Sequence, residues 1–300
     1  MRCLILGATG QIGTFLSTAC ADRGAAHLGT WYRWPHHDCE PLDLRDEDSV
    51  DDLISDYQPD VTFLTVSAGC NEWAEENPAE SLDVAVGGTQ TVASAVARAG
   101  GSLVYFSSND VFGDAAKTHK EDDPLSPANV AAEQRVLAES AIRRTLPDRH
   151  LILRTNWVYG PDDRGRGWTN QLIRKFQSES PISASEERVG QPTFGPDLAE
   201  AALELARMGQ NGTVHVVGPD KHSELSFARI AAFLFGADVD RIRESKSFEI
   251  EEIQPSRAVL DRMKLRSCLG PRAIRGVSEG LRAVRAEWKA RATARVRVAA

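Results

Sequence analysis

Apolar and polar positions change places along this chain in two rhythms. Met1 to Leu6 is a short apolar run; glycines follow, then an amphipathic stretch from Gln11 to Asp22. Ala26 to Trp31 is a second apolar run. From Asp46 to Tyr57 the spacing is helical, with Val50, Leu53, Ile54 and Tyr57 on one stripe. Val61 to Val66 is β-branched and bounded by Pro59 and Gly69. Thr89 to Arg98 reads as helix, and Ser102 to Phe106 and Leu151 to Arg154 read as strands. Strand-helix alternation of this kind predicts a parallel sheet covered by helices on both faces, an α/β doubly wound fold.

The rhythm changes after about residue 160. Pro161 to Gly167 reads as a loop and Pro181 to Thr193 as irregular. Gln171 to Gln177, Asp197 to Met208 and Ser226 to Phe235 read as helices, and Thr213 to Val217 as a strand ending at Gly218-Pro219. The expectation is two units, 1–160 and a smaller lobe 161–300 over the carboxyl edge of the sheet, with the chain crossing back at least once. The tail from Ser278 to Val298 is expected to be a solvated basic helix.

Composition narrows the class. The chain has 300 residues, 42% hydrophobic and 26% charged, as in an ordinary globular protein. Lys and Arg number 35 against 43 Asp and Glu, a net charge of −8. That balance argues against a phosphate-backbone binder, whose affinity rests on clustered cations. No apolar run approaches the roughly 20 residues of a membrane span, and the start has no signal-peptide pattern, so a cytoplasmic protein is expected. The five cysteines are scattered with no CxxC pair, which suits free thiols. His36 and His37 flank Cys39 without metal-ligand spacing, so no metal site is expected.

The first candidate chemistry follows the first strand. Gly7-Ala8-Thr9-Gly10-Gln11-Ile12-Gly13 is GxxGxxG set between a strand and a helix. Gly7 allows the tight turn, Gly10 lets a pyrophosphate approach the backbone, and Gly13 lets the helix pack close. The helix N-terminus then faces the phosphates. The second strand ends in Gly29-Thr30-Trp31-Tyr32-Arg33-Trp34 with no acid to bind a ribose 2′-hydroxyl. Arg33 can pair with a 2′-phosphate, which favours NADP, with NAD as the alternative; a surface arginine stacked on Trp31 or Trp34 is the other reading.

These motifs resemble the extended short-chain dehydrogenase/reductase superfamily, and within it the dTDP-4-dehydrorhamnose reductase family. The regulatory beta subunit of methionine adenosyltransferase is similar to the same pattern. The resemblance runs through Asp43-Leu44, Gln58-Pro59-Asp60-Val61, VYFSSNDVF at 104–112, EDDP at 121–124 and LILRTNWVYG at 151–160. It continues through Gly190-Gln191-Pro192-Thr193, Asp197-Leu198-Ala199, Gln254-Pro255-Ser256-Arg257 and Leu260-Asp261. It implies a Rossmann-type domain with a lobe for a nucleotide sugar. It also implies a dinucleotide held by Gly7, Thr9, Gly10, Gln11, Ile12, Gly13, Arg33, Asp43, Leu44, Ser67, Ala68, Gly69 and Arg135.

The catalytic part of the resemblance breaks. The family uses a Ser or Thr, a Tyr, and a Lys four residues after the Tyr. The segment 123–139, DPLSPANVAAEQRVLAE, places Ala131 at the Tyr position and Arg135 at the Lys position. Residues four after Tyr32, Tyr57, Tyr105 and Tyr159 are His36, Val61, Asn109 and Asp163, so no YxxxK exists anywhere. Ser108 stands at the Ser/Thr position, Asp110 replaces a second tyrosine, and Ala85 replaces the usual Asn. Ketone reduction by the Tyr–Lys route is therefore not expected. Asp110, with Ser108 orienting the reacting oxygen, is the preferred substitute acid. Glu133 is the rival, but two residues from both 131 and 135 it should point away from their face.

Two functions follow. One is a divergent NADP(H)-dependent enzyme acting on a nucleotide-sugar-like or natural-product substrate with different acids. The other is a cofactor-loaded but catalytically silent regulatory subunit. A homodimer is compatible with both.

Overall fold

The structure, a computed structural model, describes residues 1–66, 71–113, 117–162, 164–165, 167–176, 178, 181–244 and 258–299, with 291–299 by backbone only. Seven parallel strands form the central sheet: β1 (Cys3–Leu6), β2 (His27–Trp31), β3 (Cys39–Pro41), β4 (Val61–Leu64), β5 (Ser102–Ser108), β6 (His150–Thr155) and β7 (Gly212–His215). Their spatial order is 7-6-5-4-1-2-3, the doubly wound arrangement with its reversal between β1 and β4. Helices of eight or more residues are α1 (Gln11–Asp22), α2 (Glu47–Tyr57), α3 (Gly88–Ala99), α4 (Val130–Thr145), α5 (Trp168–Lys175), α6 (Gly195–Arg207), α7 (Glu224–Phe235) and α8 (Val277–Ala299).

The near-continuous apolar strands mark a sheet buried on both faces. On one face Ile5, Phe63, Val104 and Leu153 pack on Phe15, Leu16 and Cys20 of α1 and on Leu198, Ala202 and Leu205 of α6. On the other, Leu4, Leu6, Leu64 and Ile152 pack on α2, α3 and α4 through Val50, Ile54, Val92, Val96, Ala138 and Ile142. Local signals set the helix ends. The Asp46 side chain accepts from the Ser49 N–H at α2, and Asn129 accepts from the Ala132 N–H at α4. Gly100, at φ +79°, closes α3.

The second half builds its own core from Tyr159, Leu172, Ile182, Phe194, Phe227, Ala231, Leu281 and Val284. Part of it returns to the sheet. β7 extends the β6 edge, and α6 lies beside α1. Asp197 of α6 grips Arg275 through bonds of 2.7–3.0 Å, tying a later segment to the same layer. Short helices at Asn71–Glu76, Pro78–Leu82 and Met263–Leu269, and strand β3, were not expected from the sequence; each is too brief to show a period.

Candidate functional site

The glycine loop is built by close backbone approach. Gly7 sits at φ +86°, its N–H on the Thr30 hydroxyl at 3.2 Å, while the Ala8 N–H meets the Thr30 carbonyl at 2.8 Å. A Cβ on Gly13 would run into the Gly7 carbonyl and Ala8 Cα, so only glycine permits this crossing of helix and loop. α1 starts at Gly10 without a side-chain cap, leaving its first N–H groups to an incoming anion. Gln11 turns its Nε2 inward, where the atom is buried without a hydrogen-bond partner among the described residues.

Beyond β2, Arg33 is exposed and its guanidinium lies 5.9 Å over the ring of Trp73, not over Trp31 or Trp34. Asp43 is forked by Arg45 at 2.6–3.1 Å, and Arg45 also donates to the Tyr32 hydroxyl at 2.8 Å. The Arg45 hydrogen bonds hold the Asp43 carboxyl below its ordinary pKa. Leu44 is buried against Gly88, where a Cβ would approach its own Cβ to 2.8 Å. Ser67, Ala68 and Gly69 lie outside the described residues, as does the segment 254–257.

Ser108 ends β5 and caps a short turn, Asn109–Phe112; its Oγ accepts from the Asp110 N–H at 3.4 Å. The turn carries Asp110 inward until it is 3% exposed. One carboxylate oxygen, Oδ2, accepts from Nη1 of Arg135 on α4. The other, Oδ1, is buried without a partner among the described residues. Burial pushes the Asp110 carboxyl above its usual pKa, against the opposing charge of Arg135. The structure thus brings Ser108, Asp110 and Arg135 together at the carboxyl edge of the sheet. Ala131 and Arg135 are half-buried and Glu133 is exposed, as four-residue spacing requires.

Across from Ser108 in register stands Thr155 of β6. Thr155 Oγ1 and Asn156 Oδ1 are also buried and unpartnered among the described residues. Asn109 and Asn156 each donate through Nδ2 to the Ala258 carbonyl at 3.4 Å, so a returning segment is laid over both strand ends. Buried polar atoms left unpaired in a native fold call for a partner the protein does not itself supply. Asp110 Oδ1, Thr155 Oγ1 and Asn156 Oδ1 form such a set along one edge.

A charged network beneath that edge was not visible in the sequence. Glu139, one turn after Arg135, is fully buried. Its oxygens accept from Arg154 of β6 at 3.0 and 2.7 Å, Ser107 of β5 at 2.7 Å and Arg143 at 2.8 Å. Burial works to raise the Glu139 pKa, but Arg154, Ser107 and Arg143 outweigh it and hold it below the ordinary range. Arg154 also donates to the Glu121 carbonyl at 3.0 Å and lies 4.9 Å over Phe112.

Between the two halves lies a cavity of about 190 Å³. Gln11, Trp157, Trp168 and Phe227 line it, with the buried pair Arg188–Glu224 (2.7 Å) in its wall. The Trp rings stand 6.1 Å apart, and Trp168 is 5.2 Å from Phe227. Trp157 holds φ +40°, costly for an aromatic residue, and its ring fills the place a Cβ on Gly190 would need. That strained residue turns a flat apolar face toward the opening from the end of β6. The Arg188–Glu224 pair was not legible in the sequence.

Comparison with known proteins agrees with this architecture. The chain is 28% identical over 273 residues to a dTDP-4-dehydrorhamnose reductase of Streptomyces griseus, covering 88% of this chain and 86% of that one. It is 28% identical to a dTDP-4-keto-6-deoxy-D-glucose reductase of Streptomyces niveus, covering 86% and 88%. The crystal structure of a Bacillus anthracis dTDP-4-dehydrorhamnose reductase in complex with NADP superposes with a TM-score of 0.85 at 22% identity, over 95% of this chain and 99% of that chain. The model of the RmlD substrate binding domain matches residues 1–286, nearly the whole length of both halves. The chain belongs to the RmlD substrate binding domain family.

Proposed function

We propose that this protein is an NADP(H)-binding reductase of the dTDP-4-dehydrorhamnose reductase type that takes a nucleotide-sugar-like carbonyl substrate and uses Asp110 in place of the missing tyrosine. The observation that carries the reading is the unpartnered, buried Oδ1 of Asp110 beside Arg135. The residues present fit the cofactor: an uncapped helix at a glycine crossing, Arg33 with no acid beside it on β2, and unpaired buried polar atoms at the sheet edge. The names of the relatives and the NADP complex of the Bacillus anthracis protein support the same reading.

NADPH, which the glycine loop at Gly7, Gly10 and Gly13 and the Arg33 side chain would hold, would supply a hydride to the substrate's carbonyl carbon. The chain's part is the proton. Asp110, whose pKa burial raises, gives its proton to the carbonyl oxygen as that oxygen gains charge. Arg135 then stabilises the carboxylate left behind, and water restores the proton. Ser108 orients the oxygen. Trp157 and Trp168 offer flat surfaces for the remainder of the substrate. A second reading, a cofactor-loaded and silent protein, is favoured by the Ala131 and Arg135 replacements alone.

Nicotinamide absorbance with a dTDP-4-dehydro-6-deoxy sugar separates the readings. Turnover of roughly 1–10 s⁻¹, an ordinary enzyme rate, supports reduction. Tight NADPH binding by calorimetry without turnover supports the silent protein; no binding sinks both. Arg33→Ala is expected to lower the preference for NADPH over NADH about tenfold with NADH affinity unchanged. An unaltered preference would remove Arg33 from the cofactor site.

A further inference from the structure

We propose that His36, His37, Asp38 and Cys39, in the turn that joins β2 to β3, form a binding site for a divalent cation of the zinc kind. The proposal is independent of the reductase reading and needs no turnover to test. Its basis is a convergence that the sequence spacing did not predict. Four consecutive residues carry metal-ligating side chains, and the turn folds them toward one another. The Cys39 N–H donates to the His36 carbonyl at 3.1 Å and closes the turn. Cys39 then enters β3 opposite Gly29 of β2, and Trp31 Nε1 holds its carbonyl at 3.1 Å. A Cβ on Gly29 would come within 2.9 Å of the Cys39 sulfur, so the glycine makes room for the thiol.

The sulfur faces Nδ1 of His36 at 3.9 Å. The His36 and His37 rings stack 4.7 Å apart and 18° from parallel. Nε2 of His37 meets Oδ2 of Asp38 at 3.0 Å. One ligand atom from each of His36, His37 and Asp38 lies within 4.8 Å of the other two. Bonds of about 2.0–2.3 Å at a tetrahedral angle put two zinc ligands about 3.3–3.6 Å apart. The 3.9 and 3.0 Å separations lie on either side of that value. The widest gap has to close by roughly an ångström, which rotation of exposed side chains supplies.

The donor set selects the metal. Two imidazoles, a thiol and a carboxylate suit zinc and its neighbours, whereas magnesium and calcium take oxygen ligands. Coordination by Cys39 releases the thiol proton to solvent, and thiolate plus carboxylate then balance the two charges of the ion. Asp38 has no Arg or Lys partner among the described residues. The Asp38 N–H reaches His36 Nδ1 at 3.3 Å, a long bond in an exposed place. Passing that lone pair to a metal leaves the N–H to water. The His37 and Asp38 side chains are 84% and 74% exposed, so an ion can enter directly from solvent.

The test titrates reduced protein with Zn²⁺ by calorimetry and with Co²⁺ in the spectrophotometer. Wild type should bind one Zn²⁺ saturably, ignore Mg²⁺, and show a thiolate-to-cobalt charge-transfer band. Cys39→Ser should erase that band, while Cys268→Ser, outside the turn, should keep it. His36→Ala should weaken Zn²⁺ at least about tenfold, since losing even a group behind a ligand costs roughly 10- to 100-fold. Zn²⁺ should raise the thermal midpoint of wild type and not of Cys39→Ser. Equal metal-free midpoints would show that the variants are folded. Absence of saturable Zn²⁺ binding overturns the site. Binding that persists unchanged in Cys39→Ser and His36→Ala places the ion elsewhere and overturns it as well.

Discussion

Asp110→Asn is expected to lower kcat by at least about 100-fold while NADPH affinity stays within about twofold. The substitution keeps shape and burial but removes the transferable proton. Replacing the carboxyl by an amide leaves Arg135 at the rim of the site, partly exposed, so the fold should tolerate it. The pH profile supplies the second readout. Burial is the main influence on Asp110 and raises its pKa, so the acid form persists above the ordinary carboxylate range. A donor of this kind works below its pKa, and kcat should fall as pH rises through it. Asp110→Asn should erase that limb. Glu133→Gln, on the exposed face of α4, should change nothing. An active Asp110→Asn with a dead Glu133→Gln would place the acid on the wrong face of the helix.

Glu139→Ala is expected to be the most damaging single change to stability. It leaves Arg154, 1% exposed, with a backbone carbonyl and a ring face in place of a carboxylate. Stranding one member of a buried ion pair costs about 3–5 kcal/mol, which for a chain this large is a fall of roughly ten degrees in the unfolding midpoint. The sign with pH follows from the direction of the shift. Glu139 in the fold titrates below its ordinary value, so its contribution is present above the unfolded pKa and lost as pH falls through the folded one. Circular-dichroism melts across the acid range should show wild type losing this increment, and Glu139→Gln showing a flatter acid limb. A midpoint within about a degree of wild type for Glu139→Ala would mean that the network carries little stability.

Much of the framework is legible because its signals are local. The β1–glycine–α1 unit shows a short apolar run, three glycines and a period of 3.6 within 22 residues, and the observed α1 has the bounds its spacing predicts. The same arithmetic on α4 put Ala131 and Arg135 on one face and Glu133 on another. Partners distant in sequence are not encoded that way. Glu139 finds Arg154 across 15 residues, Arg164 finds Thr9 across 155, and Arg33 settles on Trp73 when nearer tryptophans were at hand. Asp110 meeting Arg135 is an intermediate case. Each residue was marked by its place in a motif, but their ion pair requires β5 and α4 to be folded against each other.

The return of α6 and β7 to the first layer bears on how such proteins can be recombined. A single crossover after Gly160 would exchange more than a substrate lobe. It would also import a foreign α6 against α1 and a foreign β7 against β6. The partners of Phe15 and Leu16 at Leu198, Ala202 and Leu205 would then come from a sequence that had never packed with them, and overpacking or voids there cost kilocalories. Specificity could be moved more cleanly by grafting 161–194 and 218–244 together with α8, whose Leu281 and Val284 share their core, between fixed junctions. In breeding chimaeras of this family, the unit of exchange is then the two inserts with α8, and the α6–β7 stretch stays with the parent that supplies the glycine loop.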